Sequence, residues 1–287
     1  MDVLHTPRLR LRWFTLADAG FVLQLVNDPA WRRYVSDPGV RDEAAARSWM
    51  EGRLLAPYGT QGHGFWAVQH RASGALVGLC GLFKRDSLPA LDVGYALLPA
   101  WRGQGLAQEA TAACVAYARD VLGVARLLAV TDVDNAASAR VLEACGLRHV
   151  DTRVLASVGE PRPTRVFEIT WPAPADDDAA IDALVTRCAH ALVHHVTALP
   201  FFFTPEAAIH LIAADGAVTT TDPRGLMAHL ACGDGLAGFQ ATDLTRSGWR
   251  HGALAQRRLH GRSTLALQLL CRDGRWCLTA LAWQGPD

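Results

Sequence analysis

The sequence predicts an α+β fold, a sheet packed by helices on both faces, followed by a smaller second domain. Three observations carry that prediction. Period-two apolar alternation appears early, as in Arg8-Leu9-Arg10-Leu11-Arg12-Trp13. Segments at helical spacing stand among the strands, the clearest holding Leu106, Ala110, Ala113, Cys114, Tyr117 and Val121. Trp171-Pro172-Ala173-Pro174-Ala175-Asp176-Asp177-Asp178 has no period and reads as a linker. Strands and helices mixed in this order give a helix-covered sheet. The boundaries are therefore a first domain over 1–172, a linker over 173–178 and a second domain over 179–287.

The elements follow in chain order. Arg8–Trp13 is a first strand, apolar on one face and basic on the other, and its arginines read as a solvated face. Thr15-x-x-Asp18 has capping-box spacing and opens a helix to about Asn27, before Pro29. A second helix fits Asp42 to Leu55. Gly64–His70 and Ala75–Phe83 form a hairpin across Arg71-Ala72-Ser73-Gly74. Leu91–Pro99 is a strand that Pro99 ends, because proline has no N–H for the ladder. A helix over Gln104–Leu122 stops at Gly123, Leu127–Thr131 is a buried strand, and Asn135 caps a helix that Gly146 ends. Two strands, about 148–157 and 164–171, flank the turn Glu160-Pro161-Arg162-Pro163. Past the linker comes a helix carrying Ile181, Leu184, Val185, Cys188, Leu192 and Val196 at helical spacing. A strand over Ala207–Ala213, a turn at Asp215-Gly216 and a short helix over Pro223–Leu230 come next. Strands at about 237–247, 252–260, 263–271 and 275–283 close the chain.

The chemistry concentrates at Arg102-Gly103-Gln104-Gly105-Leu106-Ala107, after a strand and before a helix. The first glycine permits a tight turn and the second a close backbone approach. A helix starting there aims unpaired N–H groups and its positive dipole end at one point, which suits phosphate. Arg102 adds a side chain suited to a second phosphate oxygen. Taken alone, the run is also what an ordinary glycine turn before a helix looks like. A second segment, Asn135-Ala136-Ala137-Ser138, opens the later helix one strand further on.

Together these segments resemble the GNAT-fold N-acetyltransferases, of the branch that includes the RimJ/RimL protein N-terminal acetyltransferases. The acetyl-CoA signature Q/R-x-x-G-x-G/A is matched by Arg102, Gly105 and Ala107. The branch's N-x-x-S and L-x-x-x-G-F are matched by Asn135, Ser138, Leu142 and Gly146, with Leu147 in place of Phe. The opening Thr6-Pro7-Arg8-Leu9-x-Leu11-Arg12 is similar to that branch's start. The resemblance ends near Trp171. Beyond it, one long helix followed by a curved antiparallel sheet looks like the SnoaL-like, nuclear-transport-factor-like cone fold, by element order alone.

The resemblance implies an acetyl-CoA-dependent transfer to a primary amine, either a protein N-terminus or a small molecule. A lysine-like amine titrates near about 10.4, so at neutral pH it is mostly protonated and the site must take its proton. The site must also polarise the thioester carbonyl and protonate the leaving thiolate. By the resemblance, the backbones of Leu97 and Leu98 polarise the carbonyl and pair with the pantetheine arm. Gly103, Gln104, Gly105, Leu106 and Ala107 hold the pyrophosphate with their amides, while Asn135 and Ser138 sit beside the CoA arm. Many family members carry a tyrosine seven residues after the motif asparagine. Here Leu142 stands there, so Ser138 is the candidate acid, the alternative being a serine that only hydrogen-bonds CoA. Asp92 is the candidate base, acting through water, the alternative being a strand-end aspartate in solvent. Alternation puts Asp92 and Tyr95 on opposite faces of their strand. Glu109 reads as a structural charge that suits the helix dipole.

Composition sets the outer limits. Lys+Arg and Asp+Glu both number 28 in 287 residues, so no net field favours nucleic acid or an acidic membrane. No apolar run approaches a membrane span of about 18 residues, and Met1–His5 lacks the basic and apolar regions of a signal peptide. The cysteines number 7 and form no C-x-x-C pair, which fits reduced thiols in a cytoplasmic protein. His190 and His194 have zinc-ligand spacing but read as a solvated helix face, and no metal is expected. His63 is read as a surface-loop histidine, with the acceptor cleft as its alternative place. The loops around Arg32–Gly39 and Pro57–Gly64 are expected on the acceptor side. The alternative to an enzyme is a non-catalytic acetyl-CoA-binding module whose C-terminal domain binds a ligand or forms a homodimer.

Overall fold

Asp2–His5 (β1) and Leu9–Arg12 (β2) open the chain as an antiparallel pair in the computed structural model, which describes residues 1–155, 161–212, 218–232, 241–249, 252–259, 264–272 and 275–284. β1 has no counterpart in the sequence reading, because a four-residue edge strand is too short to show a period. A 3-10 turn at Leu16–Asp18 leads into helix α1, Ala19–Val26. Pro29 then starts a new helix where the sequence suggested only a stop. In α2, Pro29–Tyr34, the proline occupies the first turn and Asp28 is the N-cap, accepting from the amides of Ala30 and Trp31. α3 spans Glu43–Met50 and continues as a wider π turn over Glu51–Leu55, and α4 spans Tyr58–Gln61.

Strands β3 (Phe65–His70), β4 (Leu76–Lys84) and β5 (Leu91–Leu97) form an antiparallel meander with β2. Helix α5, Leu106–Tyr117, returns the chain to β6, Arg126–Asp132. Helix α6, Ala136–Ala144, precedes β7 (Arg148–Leu155) and β8 (Arg162–Thr170). β8 begins inside the predicted turn, at Arg162, while Glu160 of that turn and residues 156–159 before it lie outside the described residues. The sheet order is β1-β2-β3-β4-β5-β6-β8-β7. One face is covered by α1 and α3, whose Val22, Leu25, Val26, Ala46 and Met50 bury with Ala67 and Leu79 of the strands. On the other face Trp66 meets Tyr117 of α5 edge to face, 5.2 Å apart at 81°. The α+β sheet packed by helices is thus observed.

The chain folds as two compact units. The first is Met1–Tyr58, His63–Arg119 and Val124–Pro172; the second is Gly59–Gly62, Asp120–Gly123 and Ala173–Asp287. In the second, α7 (Asp177–His194) and α8 (Leu199–Phe202) are followed by β9 (Phe203–Ile212), β10 (Val218–Thr221) and α9 (Pro223–Cys232). β11 (Ala241–Trp249), β12 (Gly252–Leu259), β13 (Thr264–Arg272) and β14 (Arg275–Gln284) complete it. Its sheet order is β10-β9-β14-β13-β12-β11, antiparallel except where β14 runs parallel to β9. Ile181, Leu184, Val185, Cys188 and Leu192 of α7 are buried, as their helical spacing requires. The predicted turns at Asp215-Gly216 and Asp273-Gly274 lie outside the described residues. No helix among the described residues is long and apolar enough to cross a membrane.

Candidate active site

Pro99–Trp101 turns the chain out of β5 as one 3-10 turn, and Gly103 and Gly105 both take the left-handed region, with φ of 74° and 76°. A Cβ costs about 1–2 kcal/mol there, which is why this turn needs glycine twice. Gly105 is the N-cap of α5 and has no side chain with which to cap it. The amides opening α5 have no carbonyl one turn behind them, so Leu106 and Ala107 present bare N–H groups at the positive end of the dipole. Gly103 to Ala107, the expected phosphate-binding run, therefore form a left-handed turn that opens α5.

The cation beside that turn is not the expected one. Arg102 turns its guanidinium back, donating from Nε to the Leu97 carbonyl at 2.9 Å and from Nη2 to Asp28 Oδ1 at 2.5 Å. Asp28 is buried, so the Arg102 charge goes to holding α2 against the end of β5 rather than to a free phosphate-facing position. Arg8 touches the turn directly. Its Nη1 donates to the Gln104 carbonyl at 2.9 Å and its Nε to Glu109 Oε2 at 2.6 Å. A Cβ placed on Gly105 would lie 3.4 Å from Arg8 Nη2. Glu109 also accepts from the Thr6 hydroxyl and the Arg8 amide. Burial pushes the Glu109 carboxyl up, but these hydrogen bonds outweigh it and hold its pKa below the ordinary value. The signal for Arg8 was present in the opening Thr6-Pro7-Arg8. Alternation alone assigned it to a solvated face.

The sheet opens next to this turn. β5 and β6 run parallel but share one register pair, Asp92 with Leu128, and part beyond it. On its other edge β5 stays zipped to β4 down to Gly78 with Leu97, and the Leu98 amide donates to the Val77 carbonyl at 2.9 Å. The Leu98 N–H is therefore spent inside the sheet and cannot serve a thioester. Ladder alternation turns the Leu97 and Tyr95 amides the other way, toward the opening.

On the far side of the opening, Asn135 caps α6 by accepting from the Ser138 amide at 3.0 Å. With that oxygen in use, Asn135 offers a ligand its side-chain NH2. Ser138 and Tyr95 line the same opening, and burial pushes the Tyr95 hydroxyl pKa up. A cavity of about 330 Å³ lies at the opening, lined by Val93, Gly94 and Tyr95 of β5, Val130 to Asp132 of β6, and Ser138 and Leu142 of α6. Tyr34, Val35, Ser36 and Pro38, within the loop expected on the acceptor side, also line it. No residue of Pro57–Gly64 does.

Asp92 is buried, neither in solvent nor on the cavity lining. Its Oδ2 accepts from Arg85 Nε at 2.9 Å, and burial outweighs that pairing to raise its pKa. The carboxylate that does line the cavity is Asp132, at the end of β6. His63 is buried rather than in a surface loop, with Nδ1 3.2 Å from the Leu82 carbonyl, and it is absent from the cavity lining. His190 and His194 are exposed neighbours with ring centres 4.6 Å apart, and no cluster of three metal-ligating side chains occurs among the described residues.

Residues 8–148 match the acetyltransferase (GNAT) domain family. The chain is 30% identical over 152 residues to the uncharacterized protein YkkB of Bacillus subtilis, covering 52% of this chain and 87% of that one. It belongs to the GNAT acetyltransferases. Another relative is the FsC-acetyl coenzyme A-N(2)-transacetylase of Aspergillus fumigatus, 31% identical over 163 residues, covering 52% of this chain and 66% of that one. Among solved structures, this GNAT enzyme superposes on RimL, a ribosomal alpha-N-protein acetyltransferase in complex with coenzyme A, with a TM-score of 0.51 and 18% identity. That match covers 59% of this chain and 98% of the other, and it speaks for the fold.

Proposed function

We propose that this GNAT enzyme moves the acetyl group of acetyl-CoA directly to a primary amine at the opening between β5 and β6. The observation that carries the reading is the single register pair between those strands. It leaves β5 unpaired with β6 beyond Asp92, at a cavity that Tyr95 and Ser138 both line. The amides from Gly103 to Ala107 hold the pyrophosphate, with Arg8 rather than Arg102 as the adjacent cation. The Leu97 N–H polarises the thioester carbonyl, and Asn135 steadies the pantetheine arm.

The amine nitrogen bonds the acetyl carbon as the carbon–sulfur bond breaks. Asp132 takes the amine proton, directly or through water. Ser138 gives its hydroxyl proton to the leaving thiolate and takes one back from Tyr95 on the same lining, which regains its own from solvent as Asp132 gives up the amine proton. Asp92 serves here as the buried anchor of Arg85. We propose further that the unit beginning at Ala173 is a cone-like domain that binds a ligand or pairs two copies.

Thiol release in the presence of amines, together with acetyl-CoA calorimetry, tests the reading. Asn135→Ala is expected to raise the KM for acetyl-CoA. Binding without release for any amine would favour an acetyl-CoA-binding module. No binding heat at all refutes the placement of the cofactor.

A further inference from the structure

The cavity at the β5–β6 opening narrows the acceptor, provided the acetyl-transfer reading above holds. Its walls are aromatic. Trp31 and Trp49 meet edge to face with ring centres 6.4 Å apart at 77°, and Phe65 stacks on Phe83 at 5.7 Å and 14°. Tyr34 and Tyr95 add to the lining. Flat apolar walls gain most from a flat apolar guest, and about 330 Å³ suits a small molecule.

The polar groups of the cavity are mostly donors. Arg53, Arg85 and Arg162 line it against one carboxylate among its described residues, Asp132. Arg85 is matched by Asp92 at 2.9 Å. Arg162 lies 3.7 Å from Asp132 and also donates to the Arg33 carbonyl at 2.7 Å. Arg53 has no ion pair or hydrogen bond among the described residues. The Trp31 indole Nε1 is buried, also with no hydrogen-bond partner among them. Arg53 is exposed at the cavity and unpaired among the described residues, so its guanidinium is available to an anionic group brought by the ligand, beside the Trp31 wall.

We infer that the acceptor is a small primary amine on a flat apolar body that carries its own carboxylate or phosphate, held by the Trp31–Trp49 wall and the Arg53 guanidinium. Polyamines and aminoglycosides, which bring several ammonium groups to a cavity with excess positive charge, are disfavoured by repulsion.

Paired acceptors test this with the full chain and thiol release. Phenylalanine is compared with phenethylamine, tryptophan with tryptamine, and tyramine O-phosphate with tyramine. Spermidine, kanamycin and a peptide with a free N-terminus complete the panel. At least one anionic member is expected to exceed its uncharged twin in kcat/KM by about tenfold or more. The carboxylate and phosphate arms show which anion is read. Arg53→Ala, and independently Arg53→Gln, are expected to bring that ratio close to unity. Retained calorimetric binding of acetyl-CoA shows that each variant is folded. The inference is overturned if every pair is equal, if spermidine, kanamycin or the peptide is preferred, or if discrimination survives both variants. It is equally overturned if no anionic member is turned over or quenches tryptophan fluorescence. Failure of the underlying acetyl-transfer reading is a separate result, seen as no acetyl-CoA binding by the unaltered chain.

Discussion

The Arg102 guanidinium lies 2.5 Å from Asp28 Oδ1, joining the residue that opens the glycine turn to the N-cap of α2. Arg102→Ala leaves Asp28 buried without its cation. Arg102 is itself 41% exposed, so solvent screening reduces the loss to about 1–2 kcal/mol. Urea unfolding is expected to show that loss. The acetyl-CoA KM should move less than it does in Arg8→Ala, and the reverse order would return Arg102 to the phosphate.

Gly105→Ala places a Cβ at a φ of 76°. The expected outcome is a stability loss of about 1–2 kcal/mol together with a raised acetyl-CoA KM, because the turn that aims the α5 amides must relax. Thermal unfolding and steady-state kinetics read the two effects. An unstrained variant with unaltered KM would show that these amides face nothing.

The Ser138–Tyr95 pair is expected to govern chemistry more than cofactor binding. Ser138→Ala lowers kcat by about 10²-fold, the low end for a positioned acid, and Tyr95→Phe lowers it less. The double variant is expected to be no worse than the sum of the singles, because both act on one proton. Equal kcat in Ser138→Ala and the parent enzyme reduces the serine to a cofactor contact.

Glu109 has a pKa held below the ordinary carboxylate value in the folded chain. The stability it contributes is fully present above its unfolded pKa, about 4.3, and is lost as pH falls through the lower folded value. Glu109→Gln is therefore expected to be less stable than the parent at neutral pH by about 1–2 kcal/mol, since hydrogen bonds from Thr6 and Arg8 weaken. The gap should close in acid. A difference that persists unchanged below the carboxylate range would assign the effect to packing.

Local signals were legible. The glycines at 103 and 105 announced a turn because left-handed backbone is a single-residue demand, and Pro99 announced the end of β5 because a missing N–H needs no context. Helical spacing marked α5, α6 and α7 for the same kind of reason. Pro29 was ambiguous, since a proline both ends one helix and starts the next. What decided it was Asp28 as N-cap, which a stop signal alone does not reveal.

The sequence by itself therefore determined the α+β class, the glycine turn ahead of α5, the Asn135 cap and the family signatures. Each depends on residues within a few positions of one another. Only the tertiary structure decided which charges pair with each other and which line the cavity. Arg102 meets Asp28 across 74 positions and Arg8 meets Glu109 across 101. The Leu98 amide is consumed by a neighbouring strand, and Asp132 reaches the cavity while Asp92 does not. A side chain's partner is set by the three-dimensional register of strands and helices, and no local period encodes it.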